Sequence, residues 1–503
     1  MNLNSAFLAL IAIPFLAAPI LYLIGRLSIR KHRLWGMSLA RILMLVVLLL
    51  EMVLLILNLK YAMSVGQVLL TVGEVTLSLD GIGLLLAAAV LLLGFFVTLF
   101  SIPYMGRENG EEKFYSLLMI TIGSIVGLGM SNDLFNLWIW FEAMSISSYL
   151  LVAFYNEQPS SLEAGIKYLV QSAIGSALVL FGIAILFSIT GSTSFEAILQ
   201  NGGQVGLLGI LGGGLLVVGF GVKTAMVPLH TWLPDAHSQA PSGISAMLSG
   251  VVIEAGLVAM LRSISIMGKF GENWGLLLVG FGCLNIFVGN LLALRQTQVK
   301  RLLAYSSLAQ VGYMLLGFGF SFAFMIDDGA MGGFFHLITH SLMKGLAFLA
   351  AGALLYALHL SKGEHSPLTL EDLNGASKKY PVVAIGLSAA LLGLGGLPPF
   401  AGFMSKWQIL SAGVQTRDTV MIVVVVFAAL NSVLSLAYYT PLINRMFRRE
   451  PSEAVLGGKS ISWMMILPIV ILTIAILVIG VWPNAVRFLT ENAAYGILIP
   501  YFN

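Results

Sequence analysis

The sequence predicts an all-α integral membrane protein, and three observations predict it. Of 503 residues, 58% are hydrophobic and only 10% charged, with a mean hydropathy of +0.95, which leaves too little polar surface to cover a water-soluble fold. Apolar runs of roughly 20 residues, the length that crosses a bilayer, succeed one another along the chain. Lys and Arg gather in alternate connections between those runs.

The runs are bounded by charge clusters or by Gly, Pro and Asn. The first, near 5–25, lacks a basic segment before it and a small-residue cleavage site after it, so it is predicted to be a retained span rather than a signal peptide. Runs near 37–59 and 80–102 follow, then 115–131, 133–155, 164–190, 206–228 and 243–265. A further set lies near 274–294, 300–320, 332–359, 380–412 and 419–447, and the last near 463–483, which makes about fourteen spans. With the N-terminus outside, the cytoplasmic connections hold Arg26, Arg30, Lys31 and Arg33; Arg107 and Lys113; Arg295, Lys300 and Arg301; Lys362, Lys378 and Lys379; and Arg445, Arg448, Arg449 and Lys459. The opposite connections hold little beyond Lys60, Lys269, Arg417 and Arg487, the asymmetry expected of a cytoplasmic membrane protein with both termini outside. The net charge of +3 then reflects topology rather than nucleic-acid binding.

No long polar linker divides the chain, so residues 1–503 are read as one membrane domain. A weak internal repeat is visible. The seventh span ends in the Gly-rich, Pro-broken segment GGGLLVVGFGVKTAMVPLHTWLP, and the twelfth, five spans later, has the same character in LLGLGGLPPFAGFMSKW. Paired broken spans point to an ion site, because the freed backbone groups need polar partners at membrane depth. Two unrelated kinks are the plainer alternative.

Ionisable residues inside such spans cost roughly 2.5–3.5 kcal/mol each at the bilayer centre and usually belong to an ion or proton path. Glu142 and Lys223 are expected to form a switching pair, with a static ion pair as the alternative. His336, His340 and Lys344 recur at i, i+4 and share one helical stripe, suited either to proton relay or to helix–helix hydrogen bonding. Zinc is disfavoured there for want of a third ligand. Lys406 follows the Pro398–Pro399 break. Glu254 lies about ten residues into the eighth span and needs an internal partner, with Lys223 expected to serve, whereas Arg262 at that span's end reads as an interface anchor. Glu51 is similarly deep and is expected to mark a contact with another subunit. Asp80, His230 and His237 lie near span ends, where solvation is cheap, and mouth-of-path and structural readings stand level. The one cysteine, Cys283, can neither hold an iron–sulfur cluster nor close an internal disulfide, so redox chemistry is assigned to other chains.

Four segments carry a resemblance. KTAMVPLHTWLPDAHSQAPSGISAMLSG (223–250), QTQVKRLLAYSSLAQVGYMLLG (296–317), HLITHSLMKGLAFLAAG (336–352) and GLPPFAGFMSKWQIL (396–410) closely resemble the antiporter-like subunits of respiratory complex I, Mrp-type cation/proton antiporters and membrane-bound NiFe hydrogenases. The resemblance runs from about residue 75 to 445. It implies fourteen helices with two inverted five-helix repeats, about 115–265 and 274–447, each with a broken helix, and peripheral helices in 1–102 and 463–503. It also implies a proton path through Glu142, Lys223, His336, His340, Lys344 and Lys406. Many relatives have Lys or His where this chain has Glu254, which leaves the link between the two half-channels in question. The chain ends soon after the fourteenth span, without the long lateral helix of the largest complex I subunit.

The expected function is proton or sodium/proton translocation within a multisubunit, ferredoxin- or quinone-linked membrane redox complex, most like a hydrogenase or complex I. A stand-alone Mrp-type antiporter is the alternative. By the resemblance, cofactors sit on partner subunits, iron–sulfur clusters and nickel–iron among them. The partners are paralogous antiporter-like subunits, peripheral redox subunits and the bilayer.

Overall fold

The structure is a computed structural model and describes residues 3–30, 34–65, 68–73, 75–106, 108–202, 206–270, 273–362 and 367–502. Helices α1 (Leu3–Arg30) and α2 (Leu34–Val65) pack on each other. An antiparallel hairpin of β1 (Val68–Val72) and β2 (Val75–Leu79), in register Val68 to Leu79, leads into α3 (Gly81–Met105). Then come α4 (Glu111–Gly129), α5 (Leu134–Val152), α6 (Pro159–Thr190), the short α7 (Phe195–Asn201), α8 (Gly206–Lys223) and α9 (Trp232–Gln239). The next span is built in three pieces: α10 (Ser242–Met247), a π-helical turn (Leu248–Val252) and α11 (Ile253–Ser265). Helices α12 (Trp274–Leu294), α13 (Val299–Phe324) and α14 (Asp327–Lys362) precede the short α15 (Ala376–Lys379). The chain closes with α16 (Pro381–Gly395), α17 (Ala401–Gln415), α18 (Thr419–Arg448), the short α19 (Glu453–Gly457), α20 (Trp463–Val481) and α21 (Asn484–Phe502).

Among the described residues, twelve helices are long and apolar enough to cross a membrane. The other two expected spans take different forms. The run at 133–155 is the 19-residue α5, whose hydropathy is lowered by Asn136, Glu142 and serines, and the run at 380–412 is divided between α16 and α17. The hairpin and α21 are additions to the sequence reading. Of the charges used to orient the chain, Lys31, Arg33 and Arg107 lie outside the described residues, as do the side chains of Arg30 and Lys362.

Helix starts are fixed locally. Asp80, Asp133, Asn273 and Asp418 each accept a backbone N–H of the first turn of α3, α5, α12 and α18 at 2.8–3.1 Å. Packing is set by small residues. A Cβ on Gly175 or Gly182 would come within 2.9 and 2.8 Å of Gly219 O and Gly212 O, so α6 and α8 touch backbone to backbone. The α12–α13 pair repeats this, with Gly282 against Gly312 O at 2.9 Å and Gly275 against Gly319 O at 2.7 Å. With lipid as apolar as any side chain, such close approach is what holds membrane helices together.

The core lies around α14 and the α10–α11 span, which are enclosed by the other helices. Outward, α18 exposes Val420, Val423, Leu430 and Val433 in an apolar row. Two helices break inside the bundle. After Lys223 the chain runs irregularly through Val227–Pro228 before α9, and after Gly395 it turns at Gly396 (φ +80°) and Pro398–Pro399 before α17. Proline lacks an N–H and disfavours helix in the residue before it, so neither helix continues.

Two expectations fail here. Arg262 is not an interface anchor. It is buried, with Nη1 and Nη2 donating to Asp80 at 3.0 and 2.8 Å and a further bond to Gly129 O, so it ties α11 to the start of α3 and the end of α4. Glu51 is fully enclosed within this chain, so it offers no surface to another subunit. Arg41 pairs instead with Glu111 at 2.6 Å, where α2 meets the first turn of α4.

Candidate ion path

The i, i+4 stripe on α14 turns His336, His340 and Lys344 into the fully buried centre of the molecule. Their partners come from three other helices. Lys344 Nζ donates to Leu303 O at 2.7 Å and to Ser306 Oγ, both on α13. His340 Nδ1 meets Glu254 Oε1 of α11 at 2.7 Å. His336 Nδ1 contacts Ser405 Oγ of α17 at 2.8 Å, and its Nε2 contacts Gln310 Oε1 of α13 at 3.1 Å. The centres of the two imidazole rings lie 6.2 Å apart.

From His336 the file reaches Lys406. Gln310 Nε2 and Lys406 Nζ donate to the same carbonyl, Leu394 O, at 3.1 and 2.7 Å. That carbonyl belongs to the last turn of α16, where the break leaves it without a helical partner, so the break itself supplies the ligand for the buried ammonium. Lys406 also donates to Ser432 Oγ at 3.1 Å and sits 4.5 Å above the Tyr313 ring.

Lys223 at the other break is held in the same manner. Its Nζ donates to Ser148 Oγ at 3.2 Å and lies 4.4 Å from the centre of the Tyr168 ring, which is stacked on Trp232 at 4.0 Å. A ring face supplies a diffuse negative charge and no proton acceptor, so it holds an ammonium without fixing its direction.

The structure therefore brings together Glu254, His336, His340, Lys344 and Lys406, and places Lys223 and Glu142 to one side. Glu142 is partly exposed and does not touch Lys223; its Oε1 is buried and, among the described residues, without a hydrogen-bond partner, within electrostatic reach of the ammonium. Glu254 pairs with His340 rather than Lys223, because the side chain at 254 leaves α11 toward α14 while Gly256, one half-turn on, is the residue that abuts Lys223. His237 is not at a solvated span end: it is 0% exposed and stacked on Phe348 at 4.7 Å. Lys300, read from sequence as a loop charge, is buried with its Nζ on Ala240 O at 2.7 Å.

Ser148, Tyr168, Gln310, Tyr313, Ser405 and Ser432 were not singled out from sequence. One signal was present: Ser306, Gln310 and Tyr313 recur at i, i+4, i+7 along α13, and that face meets Lys344 and His336 of α14. Among the described residues, no group of three or more His, Cys, Asp or Glu is placed to hold a metal.

A polytopic helical bundle with two broken helices and a buried titratable file between them is the architecture of an ion-translocating membrane subunit. The sequence profile of the family described as NADH:quinone oxidoreductase/Mrp antiporter, TM, matches residues 131–432, and the chain belongs to that family. It is 33% identical over 413 residues to the F420H2 dehydrogenase subunit N of Methanosarcina mazei, covering 80% of this chain and 81% of that one. It is 34% identical over 393 residues to the NADH-quinone oxidoreductase subunit N of Deinococcus radiodurans, covering 76% and 75%.

Solved structures agree. The fold matches a chain of the membrane-bound sulfane sulfur reductase, an archaeal respiratory membrane complex, with a TM-score of 0.88 at 26% identity over 98% of both chains. A chain of respiratory complex I from Thermus thermophilus matches with a TM-score of 0.77 at 27% identity, over 96% of this chain and all of that one. The fold alone is shared with a chain of the Mrp complex from Dietzia sp., with a TM-score of 0.85 at 21% identity over 99% and 98%. The resemblance read from the four motifs holds, and the protein is an antiporter-like membrane subunit.

Proposed function

We propose that this chain translocates protons, or exchanges sodium for protons, inside a multisubunit membrane redox complex whose electron transfer takes place on partner subunits. Those partners would hold the iron–sulfur clusters, with nickel–iron in a hydrogenase-type assembly, and would include further antiporter-like subunits. The chain would sit in the cytoplasmic membrane with both termini outside and its Lys- and Arg-rich connections inside. The two five-helix repeats, about 115–265 and 274–447, would each contribute a half-path centred on its broken helix.

One observation carries this reading. Glu254, His340, His336, Ser405, Gln310 and Lys406 form a run of buried polar contacts across the interior of the bundle. So many buried ionisable groups are costly to fold around and persist where charge has to move. Glu142 and Lys223 would form the switching pair, coming into contact in one state and separating, as here, in another.

The test is purification in mild detergent, identification of the co-purifying chains, iron and nickel analysis, and electron-driven proton uptake in proteoliposomes. A complex with redox subunits that acidifies vesicles on electron transfer is the expected result. A chain that purifies alone and exchanges cations for protons without electron transfer would replace the redox-driven reading.

A further inference from the structure

A cleft of about 260 Å³ opens between the α5–α6 connection, the end of α9, the start of α13 and the connection after α14. Its walls include Tyr104, Gln158, Ser160, Gln239 and Gln298, and Lys300 lines it as well. At its rim Ser160 Oγ donates to Gln239 Oε1 at 3.0 Å, and Arg301 and Lys167 pair with Asp235 at 2.7 and 3.1 Å. The cleft is lined by polar and apolar groups in about equal measure and lies on the face that carries Lys167, Lys300 and Arg301.

Behind it stand two groups that the path above does not use. Lys300 is 8% exposed, and among the described residues its ammonium donates to one carbonyl, that of Ala240, which leaves two N–H groups for the cleft. His237, three residues before Ala240, is 0% exposed, and among the described residues neither ring nitrogen has a hydrogen-bond partner. Its ring stacks on Phe348, one turn beyond Lys344 on α14, and both Lys300 and Lys344 lie within electrostatic reach of it. A buried imidazole with both nitrogens unengaged is unusual, because desolvating them without a partner is costly. Stacking on Phe348 holds the ring while leaving both edges open.

We propose that this cleft is the uptake port of the path, and that Lys300 and His237 carry protons from it to Lys344. The inference rests on the translocation reading above. In each cycle the Lys300 ammonium hands a proton through water to one nitrogen of neutral His237, and the resulting amine takes a proton from water in the cleft. His237 releases the proton from its other nitrogen toward a deprotonated Lys344. One proton moves inward, and Lys300 and His237 end in the charge state in which they began, the imidazole as its other tautomer until the ring turns over.

The test uses the whole complex in proteoliposomes with electron transfer driving proton uptake. His237→Ala and Lys300→Ala are each expected to lower uptake at least tenfold. Added imidazole should restore His237→Ala, and added ethylamine Lys300→Ala. A merely structural role would give no such rescue. As a second route, Gln158→Cys in a Cys283→Ser background should lose uptake when treated with a membrane-impermeant maleimide from the cleft side. Wild-type uptake in His237→Ala, absence of rescue in an assembled complex, or indifference of labelled Gln158→Cys would each overturn the port. Lys406→Ala measured alongside separates the failures: if it abolishes pumping while His237→Ala does not, the port falls and translocation stands, and if both pump normally, translocation falls too.

Discussion

Replacing Glu254 with Gln isolates the charge at the centre of the file. Gln is isosteric, so its Oε1 still accepts the 2.7 Å bond from His340 Nδ1, and the second oxygen, which has no hydrogen-bond partner among the described residues, becomes an amide donor. Folding is then expected to change by no more than about 1 kcal/mol, the net worth of one neutral hydrogen bond. Proton transfer should suffer far more. An amide neither takes nor gives a proton near neutral pH, and removing a positioned proton-transfer group typically lowers a rate by roughly 10²–10⁴. The expected signature is an assembled complex, seen by native gel and subunit stoichiometry, whose electron-driven proton uptake falls at least about 100-fold. Glu254→Lys should do worse, since it sets a second cation against His340 in a fully buried site, where an uncompensated charge costs about 3–5 kcal/mol and disturbs assembly too. Normal pumping by the Gln variant would remove Glu254 from the path, and normal pumping by the Lys variant would make the position a generic polar relay indifferent to sign.

Glu142→Gln should leave the complex assembled and abolish pumping; normal uptake in vesicles would take the Glu142–Lys223 pair out of the mechanism. Lys406→Ala should slow transport far more than Lys60→Ala, which removes an exposed charge of the same sign, and equal effects would reduce Lys406 to a packing residue. Tyr313→Leu removes the ring beneath Lys406 and should weaken retention of its ammonium by about 0.5–2 kcal/mol, read as a shifted pH dependence of uptake; an unchanged profile would deny the ring that role. Arg262→Met strands Asp80 and should cost about 3–5 kcal/mol, seen as a lower melting temperature or loss of assembly, while turnover per assembled complex stays near normal. Loss of turnover without loss of stability would place Arg262 in the path instead.

The sequence by itself determined the class of fold. A bilayer accepts backbone only as helix or closed barrel, so repeated 20-residue apolar runs leave little choice, and the helices follow those runs closely. It also determined which residues are exceptional. Glu142, Lys223, Glu254, His336, His340, Lys344 and Lys406 stand out because each interrupts an apolar run, and the two broken helices announce themselves by Gly and Pro. Only the tertiary structure decided which of them meet. Glu254 and His340 are 86 residues apart in sequence, as His336 and Ser405 are 69 apart, and nothing in either local pattern records the pairing. Burial was equally out of reach at span ends. Arg262, Lys300 and His237 occupy positions where composition suggests an interface, yet neighbouring helices cover them, because depth within a bundle is set by packing around a residue rather than by its place along its own helix. Partners such as Ser148, Ser405 and Ser432 stayed hidden for a related reason: a serine in a membrane helix usually bonds its own backbone, and it becomes a ligand only when the fold aims a lysine or histidine at it.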